Sequence, residues 1–378
     1  MLKIGILGGG QLGRMMLQQA ANYPVKTYIL ENDANCPSAH LCSEFILGNI
    51  QDYNDVYNFG KNVDVLTIEI ENVNIDALEA LENEGKRIVP NTKVLRTIKS
   101  KIIQKDFYAK NEIPSPKYLT TQKLSDLQNL AHFLPAVHKI AEGGYDGRGV
   151  VVINTVSEIE KGFDAPSVLE QKIDIAKEVS VIVAANKGEI VIYPPVEMLV
   201  NKQLNQLDYQ VCPAQITEKI LWRLEAIAIK LVKNLASDGL FAVEFLIDYN
   251  DDVWVNETAP RVHNSGHHSI EAHYSSQYDM LLRILMNYPL GNTDAISPSA
   301  LINLVGADGY EGDVYYEGLE EVLKFDKVYV HIYGKAKTKP GRKMGHITVL
   351  GKDRQDLIYR SKQIKEIIKV VSNVSFGS

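Results

Sequence analysis

Residues 241–268 read FAVEFLIDYNDDVWVNETAPRVHNSGHH. FAVEFLI and VWVNE are rich in β-branched and aromatic residues and flank a polar YNDD, which predicts two antiparallel strands joined by a short turn. No other stretch restricts the fold as much, because pairing these strands brings positions distant in sequence side by side. Glu244 lies on the first strand, Glu257 ends the second, and Asn256 stands beside it. Two carboxylates and an amide therefore converge on one patch. Oxygen-only ligands suit Mg2+, which keeps several waters and shares substrate phosphates. Arg261, His263, Asn264 and His267 follow directly, a group able to hold a small anion. Two solvated acids before a polar loop remain the plainer reading of the same residues.

At 378 residues the chain is expected to form two or three domains with ample buried core. A net charge of −7 argues against a dedicated nucleic-acid binder but permits local basic pockets. Cys36, Cys42 and Cys212 are sparse, odd in number and without CxxC spacing, which suggests reduced thiols. The chain starts directly on a strand and has no apolar run long enough to cross a bilayer. A soluble, cytoplasmic protein without membrane or nucleic-acid partners is expected.

Residues 1–92 predict a small parallel α/β unit. KIGIL, KTYIL, VDVLTIEI and KRIVP are its strands, and a helix over 11–22 follows the first. Gly8, Gly10 and Gly13 in GGGQLGR match GxGxxG, and Glu31 stands where a dinucleotide fold places its ribose-binding acid. Three readings stay open: an NAD-dependent dehydrogenase, a tight turn with no ligand, or a helix N-terminus receiving a substrate phosphate or ribose.

Residues 93–113 read as one lysine-rich helix stopped by Pro114 and Pro116. Next, LPAVHKIAEGGYDGRGVVVI has strand character on both sides of a glycine-rich turn, with Lys139 just upstream. Such a loop can fold over phosphates with its backbone N–H groups while the lysine offsets their charge. A plain glycine hairpin tip is the alternative. Walker A and kinase catalytic-loop patterns are absent. SVLEQKI and KEVSVIVAA follow as strands, in which Glu170 to Ile173 can offer an edge backbone to a purine and Glu178 can accept a ribose hydroxyl. Residues 217–237 predict an amphipathic helix with Ile220, Leu224, Ile227 and Leu231 facing the core. A boundary falls at NYPLGNTDAISPS. Beyond it, VYVHIY and HITVLG flank the basic loop GKAKTKPGRKMG, suited to a phosphate-bearing substrate if it is not merely solvated. QDLIYRSKQIKEIIKVV predicts a closing amphipathic helix.

GGGQLGRM, GGYDGRG, NETAPRVHNSGHH and PGRKMGH, in this order along nearly the whole chain, resemble the N5-carboxyaminoimidazole ribonucleotide synthetase family. GGYDGRG and APRVHNSGH carry the resemblance; GxGxxG is unspecific. It implies an α/β and α+β multidomain, ATP-grasp fold. A pre-ATP-grasp domain would span 1–92, the ATP-grasp domain 93–295 with a lid about 114–180, and a small β-rich domain 296–378. It also implies a homodimer that carboxylates 5-aminoimidazole ribonucleotide with ATP, Mg2+ and bicarbonate through carboxyphosphate, in purine biosynthesis.

The resemblance further assigns residues. Lys101 and Lys139 match contacts to ATP phosphates, and Gly144, Tyr145, Asp146, Gly147, Arg148, Gly149 and Val150 match the glycine-rich lid. Glu170, Gln171, Lys172 and Ile173 match the adenine strand, and Glu178 the ribose contact. Asn256, Glu257 and Glu244 match the metal and phosphate end. Arg261, His263 and Asn264 match the bicarbonate and carboxyphosphate pocket. Gln11, Glu71, Tyr145, Asp146, Arg148, Lys335 and Arg342 match the ribonucleotide site. Lys101 stands where many members have arginine, Val200 near a common histidine, and Lys339 in place of an arginine before PGRK. A different ATP-grasp carboxylate–amine ligase and a non-catalytic nucleotide-binding regulator are the rival readings within this fold.

Overall fold

The computed structural model describes residues 1–144, 149–201 and 206–372. Tyr145, Asp146, Gly147 and Arg148 lie outside the described residues.

The N-terminal unit is the expected parallel sheet, in the order Glu44–Leu47, Val25–Glu31, Leu2–Leu7, Val65–Ile68, Arg87–Val89. Its central strands are apolar because helices cover both faces. The strand Glu44–Leu47 went unread in the sequence: it is a half-exposed edge strand of four residues and carries little periodic signal. The helix Gln11–Ala20 packs Leu12, Met15 and Met16 into a core shared with Tyr278, Met280 and Tyr333 from later in the chain.

The lysine-rich segment is two helices, Thr92–Lys99 and Lys101–Lys110, not one. Ser100 between them is extended at φ −104° and ψ 121°. The Lys101 N–H donates to the Ala141 carbonyl at 2.8 Å, so the break hands this amide to the next unit and restarts the helix on Lys101. That unit is a four-stranded sheet ordered Tyr118–Thr121, Ser167–Gln171, Ala136–Ile140, Val150–Ile153.

A nine-stranded sheet forms the body. Its path runs Val253–Ala259, Gly239–Asp248, Ile175–Asn186, Val196–Asn201, Gln206–Cys212, Ser299–Val305, Lys343–Leu350, Val328–Ile332, with Glu189–Ile192 paired onto Ile175–Asn186. The antiparallel C-terminal strands thus extend the central sheet, with Cys212 opposite Ser299 at the junction. The closing helix ends at Ile367, and KVVS forms a strand, Lys369–Ser372, because Val370 and Val371 pair with Tyr316 and Tyr315. β-Branched residues prefer that pleated setting to a last helical turn.

The helix Glu218–Leu235 buries the expected face, with the Thr217 side chain accepting from the Ile220 N–H as its cap. Leu224 is fully buried against Val243, Phe245 and their neighbours. Leu224→Ala should therefore lower unfolding free energy by about 2–5 kcal/mol while sparing substrate affinities. Urea denaturation checks it; a loss under about 1 kcal/mol would mean the site collapses around the gap.

Candidate active site

The hairpin exists, with two differences from expectation. The second strand runs on to Ala259, so Glu257 lies inside it. Glu244 pairs with Glu257, but Phe245 pairs with Val255, leaving Asn256 as an extra residue in a β-bulge. Strict alternation would send Asn256 and Glu257 to opposite faces; the bulge cancels one step of it. Both side chains then meet lysines of one cleft. Lys101 Nζ is 2.9 Å from Glu257 Oε2, and Lys139 Nζ donates to Asn256 Oδ1 at 2.8 Å.

Lys139 also lies 2.9 Å from Glu170 Oε2, and Lys105 lies 3.1 Å from Glu170 Oε1, an ion pair by distance without hydrogen-bond alignment. Burial would push the Glu170 carboxyl up, but Lys139 and Lys105 together bring it below the usual range. Glu170 is thus the anchor that holds two lysines. Its strand is flanked on both sides, by Tyr118–Thr121 and Ala136–Ile140, so neither Glu170 nor Gln171 presents a free backbone edge. The Lys172 N–H donates to the Pro135 carbonyl, and its Nζ to Asn154 Oδ1 at 3.1 Å; Ile173 lies beyond the strand's end.

Glu178 and Ser180 project from the same face as Glu244, since Ser180 pairs with Glu244 and Glu178 with Leu246. Burial, then the neighbouring Glu257 and Glu178, drive the Glu244 carboxyl up to about 8. Burial also opposes ionisation of Glu257, but the Lys101 charge and hydrogen bond outweigh it and hold this carboxyl low. Two facing carboxylates sharing roughly one proton are a donor pair that a hard cation completes.

Downstream, the anion loop is braced from behind. The His263 N–H donates to Gln277 Oε1 and its carbonyl accepts from Gln277 Nε2, both at 2.8 Å. His263 Nδ1 shares a hydrogen bond with Ser265 Oγ at 2.9 Å, and Nε2 lies 3.5 Å from Glu244 Oε1. Arg261 Nη2 pairs with Glu71 Oε1 at 2.9 Å, joining this loop to the N-terminal unit. Arg261 Nε and Asn264 Oδ1 are buried without a partner, one a donor and the other an acceptor. His267, grouped above with the anion binders, is instead buried and bonded to Gln277 and Tyr278. Burial drives its pKa well down, so it stays neutral and offers an anion no charge.

The glycine turn has a resident occupant. Glu69 accepts from the Gly10 N–H at 2.5 Å and the Leu12 N–H at 3.0 Å, and Glu31 accepts from Gly9 at 3.0 Å. A Cβ on Gly10 would lie 2.5 Å from Glu69 Oε1, so the glycine is there for the carboxylate. The chain itself fills the helix N-terminus where a pyrophosphate would sit, which removes the dehydrogenase reading. Gln11 opens this helix. Lys335 Nζ donates to the Lys343 carbonyl at 2.8 Å, and Arg342 Nη1 to Lys337 at 2.7 Å. A Cβ on Gly334 would stand 3.3 Å from Arg14 Nη1, so the basic loop borders the first helix. Arg14, Glu69, Lys105 and Gln277 are the members that sequence reasoning missed. Only Arg14, inside GGGQLGR, carried any signal. Gly144, Gly149 and Val150 stand either side of residues 145–148 in sequence; a Cβ on Gly149 would stand 2.5 Å from Ile140 Cγ2.

Comparison with known proteins places this geometry in context. Three family models match: the ribonucleotide synthetase preATP-grasp domain at 1–99, the ATP-grasp domain at 106–278, and the phosphoribosylaminoimidazole carboxylase C-terminal domain at 299–360. The chain is 33% identical to an N5-carboxyaminoimidazole ribonucleotide synthase of Staphylococcus aureus, covering 93% of each. It is also 33% identical to a chloroplastic phosphoribosylaminoimidazole carboxylase of Vigna aconitifolia, over 92% of this chain but only 64% of that longer protein. The crystal structure of the Thermotoga maritima N5-carboxyaminoimidazole ribonucleotide synthetase superposes with a TM-score of 0.92 at 37% identity, covering 99% of this chain and 100% of that one. An Aspergillus clavatus synthase in complex with ADP and 5-aminoimidazole ribonucleotide gives 0.87 at 28%, covering 97% and 98%.

The buried lysines supply a pH test. Burial pulls the Lys105 ammonium from the ordinary 10.5 down to about 8, with Glu170 resisting and Lys139 adding to the fall. Between those values the unfolded chain holds a proton that the folded chain has released. Stability from this group therefore rises with pH across that window. Wild type should gain on Lys105→Met as pH climbs from about 8 to about 10.5 in urea denaturation series. A difference independent of pH would mean that Lys105 titrates normally.

Proposed function

The chain belongs to the family of N5-carboxyaminoimidazole ribonucleotide synthases, and from that premise we propose how its residues divide the ATP-dependent carboxylation of 5-aminoimidazole ribonucleotide. One observation carries the assignment. Lys101, Lys139, Glu244 and Glu257 meet in one cleft, and the loop of Arg261 and His263 opens on the same carboxylates.

Lys101 and Lys139 receive the ATP phosphates. Glu257, Asn256 and Glu170 aim their ammonium groups, so that little reorganisation accompanies the transfer. Glu244 and Glu257, oxygen donors directly opposite one another, fit Mg2+; when bound, the ion would neutralise charge on the transferring phosphoryl group. Glu178 takes the ribose, and the backbone past Gln171 the adenine.

Arg261 and His263 hold bicarbonate against the γ-phosphoryl group. A bicarbonate oxygen attacks phosphorus, and the bond to ADP breaks with its electron pair going to the leaving β-phosphate oxygen. In the second step carboxyphosphate delivers CO2, free or nascent, to the 5-amino nitrogen: its C–O bond to phosphate breaks with the electron pair going to phosphate, the N–C bond forms, and the departing phosphate takes up the amine proton. The unpartnered Arg261 Nε and Asn264 Oδ1 suit this pair of reactants, as donor to the anion and acceptor from the amine. Gln11, Glu71, Arg14, Lys335 and Arg342 hold the ribonucleotide, the last three at its phosphate. Water has to be kept from the site, because it would hydrolyse carboxyphosphate. The homodimer and the cytoplasmic setting belong to this proposal as well; a solution mass measurement tests the first.

The direct test is ADP formation with ATP, Mg2+, bicarbonate and aminoimidazole ribonucleotide, each omitted in turn. In that assay Lys335→Ala should raise KM for the ribonucleotide by about tenfold or more, as expected for a lost charge-assisted contact of roughly 1.5–3 kcal/mol. KM for ATP should hardly move. A change confined to ATP would reassign the basic loop.

His263→Ala should slow the reaction and also uncouple it. Carboxyphosphate formed in the damaged pocket hydrolyses, so ADP exceeds carboxylated product. His263 also braces Ser265, and a purely structural role would lower the melting point and the rate together at an unchanged ratio. Measuring ADP, product and melting curve on one preparation separates these outcomes.

A further inference from the structure

Among the described residues, one group of three metal-ligating side chains comes together. Cys212, His268 and His273 each place a ligand atom within 4.8 Å of the other two. All three are buried, at 2%, 3% and 4% exposure. None belongs to the cleft described above, whose donors are carboxylates and lysines.

The bland account is a dry apolar pocket with two edge-on rings, 5.0 Å apart at 71°, beside an inert thiol. It fails on hydrogen bonding. Both ring nitrogens of His273 are buried without a partner, and those of His268 have no well-formed hydrogen bond, only an approach to the Ser265 backbone. Ser299 stands directly opposite Cys212 in the strand ladder, so its side chain leaves the sheet on the same face, and its Oγ is buried and unpartnered too. Buried polar atoms left unmatched are destabilising, and folded proteins rarely concentrate them in one place. Cys212 Sγ has only a weak contact, 3.9 Å to the Pro194 carbonyl.

A thiolate and two imidazoles make a borderline-soft donor set, which selects Zn2+ and disfavours Mg2+ or Ca2+. We propose that Cys212, His268 and His273 form a structural Zn2+ site, with a water or the Ser299 hydroxyl available as fourth ligand. Zinc–ligand bonds of about 2.0–2.3 Å require the three donors to draw inward by on the order of an ångström. Binding forms a Zn–S bond and releases the thiol proton to solvent; the two rings bind through lone pairs and release none. The consequence is mechanical. His268 and His273 flank the short helix Ser269–Ala272 just after Arg261, His263 and Asn264, while Cys212 ends the strand Gln206–Cys212. The ion clamps the segment behind the anion loop to the central sheet.

The test uses the full chain, purified without chelator from zinc-supplemented cells. Wild type should carry about one equivalent of zinc, and Cys212→Ser less than about a tenth. Exchange with Co2+ should give a thiolate-to-cobalt charge-transfer band that Cys36→Ser keeps and Cys212→Ser loses. Chelation should lower the wild-type melting point and leave that of Cys212→Ser unchanged. If Cys212→Ser does not fold, His273→Gln is read in the same three ways. Zinc-free wild type without a cobalt band overturns the proposal. So does zinc retained by Cys212→Ser, which would place the ion on the acidic pair.

Discussion

Everything in the cleft depends on how a small set of opposed charges is balanced where bulk water reaches only part of it. Lys101, Lys105 and Lys139 face Glu170, Glu178, Glu244 and Glu257, and several of these side chains are almost fully buried. The three lysines are each held within about 3 Å of a carboxylate, Lys101 by Glu257 and Lys105 and Lys139 by Glu170, where attraction offsets part of the desolvation cost. The partners come from three different units: Lys101 and Lys105 from the helix after Ser100, Lys139 and Glu170 from the four-stranded sheet, and the other acids from the nine-stranded one. The active cleft is therefore also the electrostatic joint between them.

The balance is deliberately incomplete at one end. Glu170 is paired with two lysines, but Glu244 faces Glu257 and Glu178 and, among the described residues, has no lysine or arginine in contact, only the His263 ring at 3.5 Å. A permanently paired Glu244 would stabilise the fold and spoil the site, because a metal would have to displace its partner. Excess acid beside aimed lysines instead lets a magnesium nucleotide supply both missing signs at once.

Most strands and helices were legible because their cores impose clear periods: Val243, Phe245 and Ile247 alternate, and Ile220, Leu224, Ile227 and Leu231 recur at helical spacing. What escaped was decided by single backbone events. Nothing in TIKSKII announces that Ser100 turns extended, yet the break sets the direction of Lys101. Nothing in VWVNETA announces the bulge, yet without it Asn256 would leave the cleft. Partners brought from afar were equally hidden: Lys105 reads as one more surface lysine until Glu170 is found against it, 65 residues on. Val200, set apart by its departure from the family pattern, lies on the strand Val196–Asn201.

GxGxxG shows how a motif can be structurally right and functionally misleading. The glycines do allow a close approach to a helix N-terminus, as in a dinucleotide site, but what approaches is Glu69. Burial raises that carboxyl, and the amides of the turn, followed by the Arg261 charge, draw it back. Arg261 is in turn held by Glu71, two residues further along the same loop. The positive end of the first helix is thus spent on a fixed carboxylate of the chain itself, and that carboxylate's field reaches the arginine of the anion loop. An anion entering beside Arg261 meets a guanidinium already aligned by Glu71, with Nη1 on the Val262 carbonyl and Nε still to be satisfied. The fold that elsewhere binds a pyrophosphate directly here commits the same helix end to Glu69, while Glu71 sets the direction of the arginine that meets the substrate.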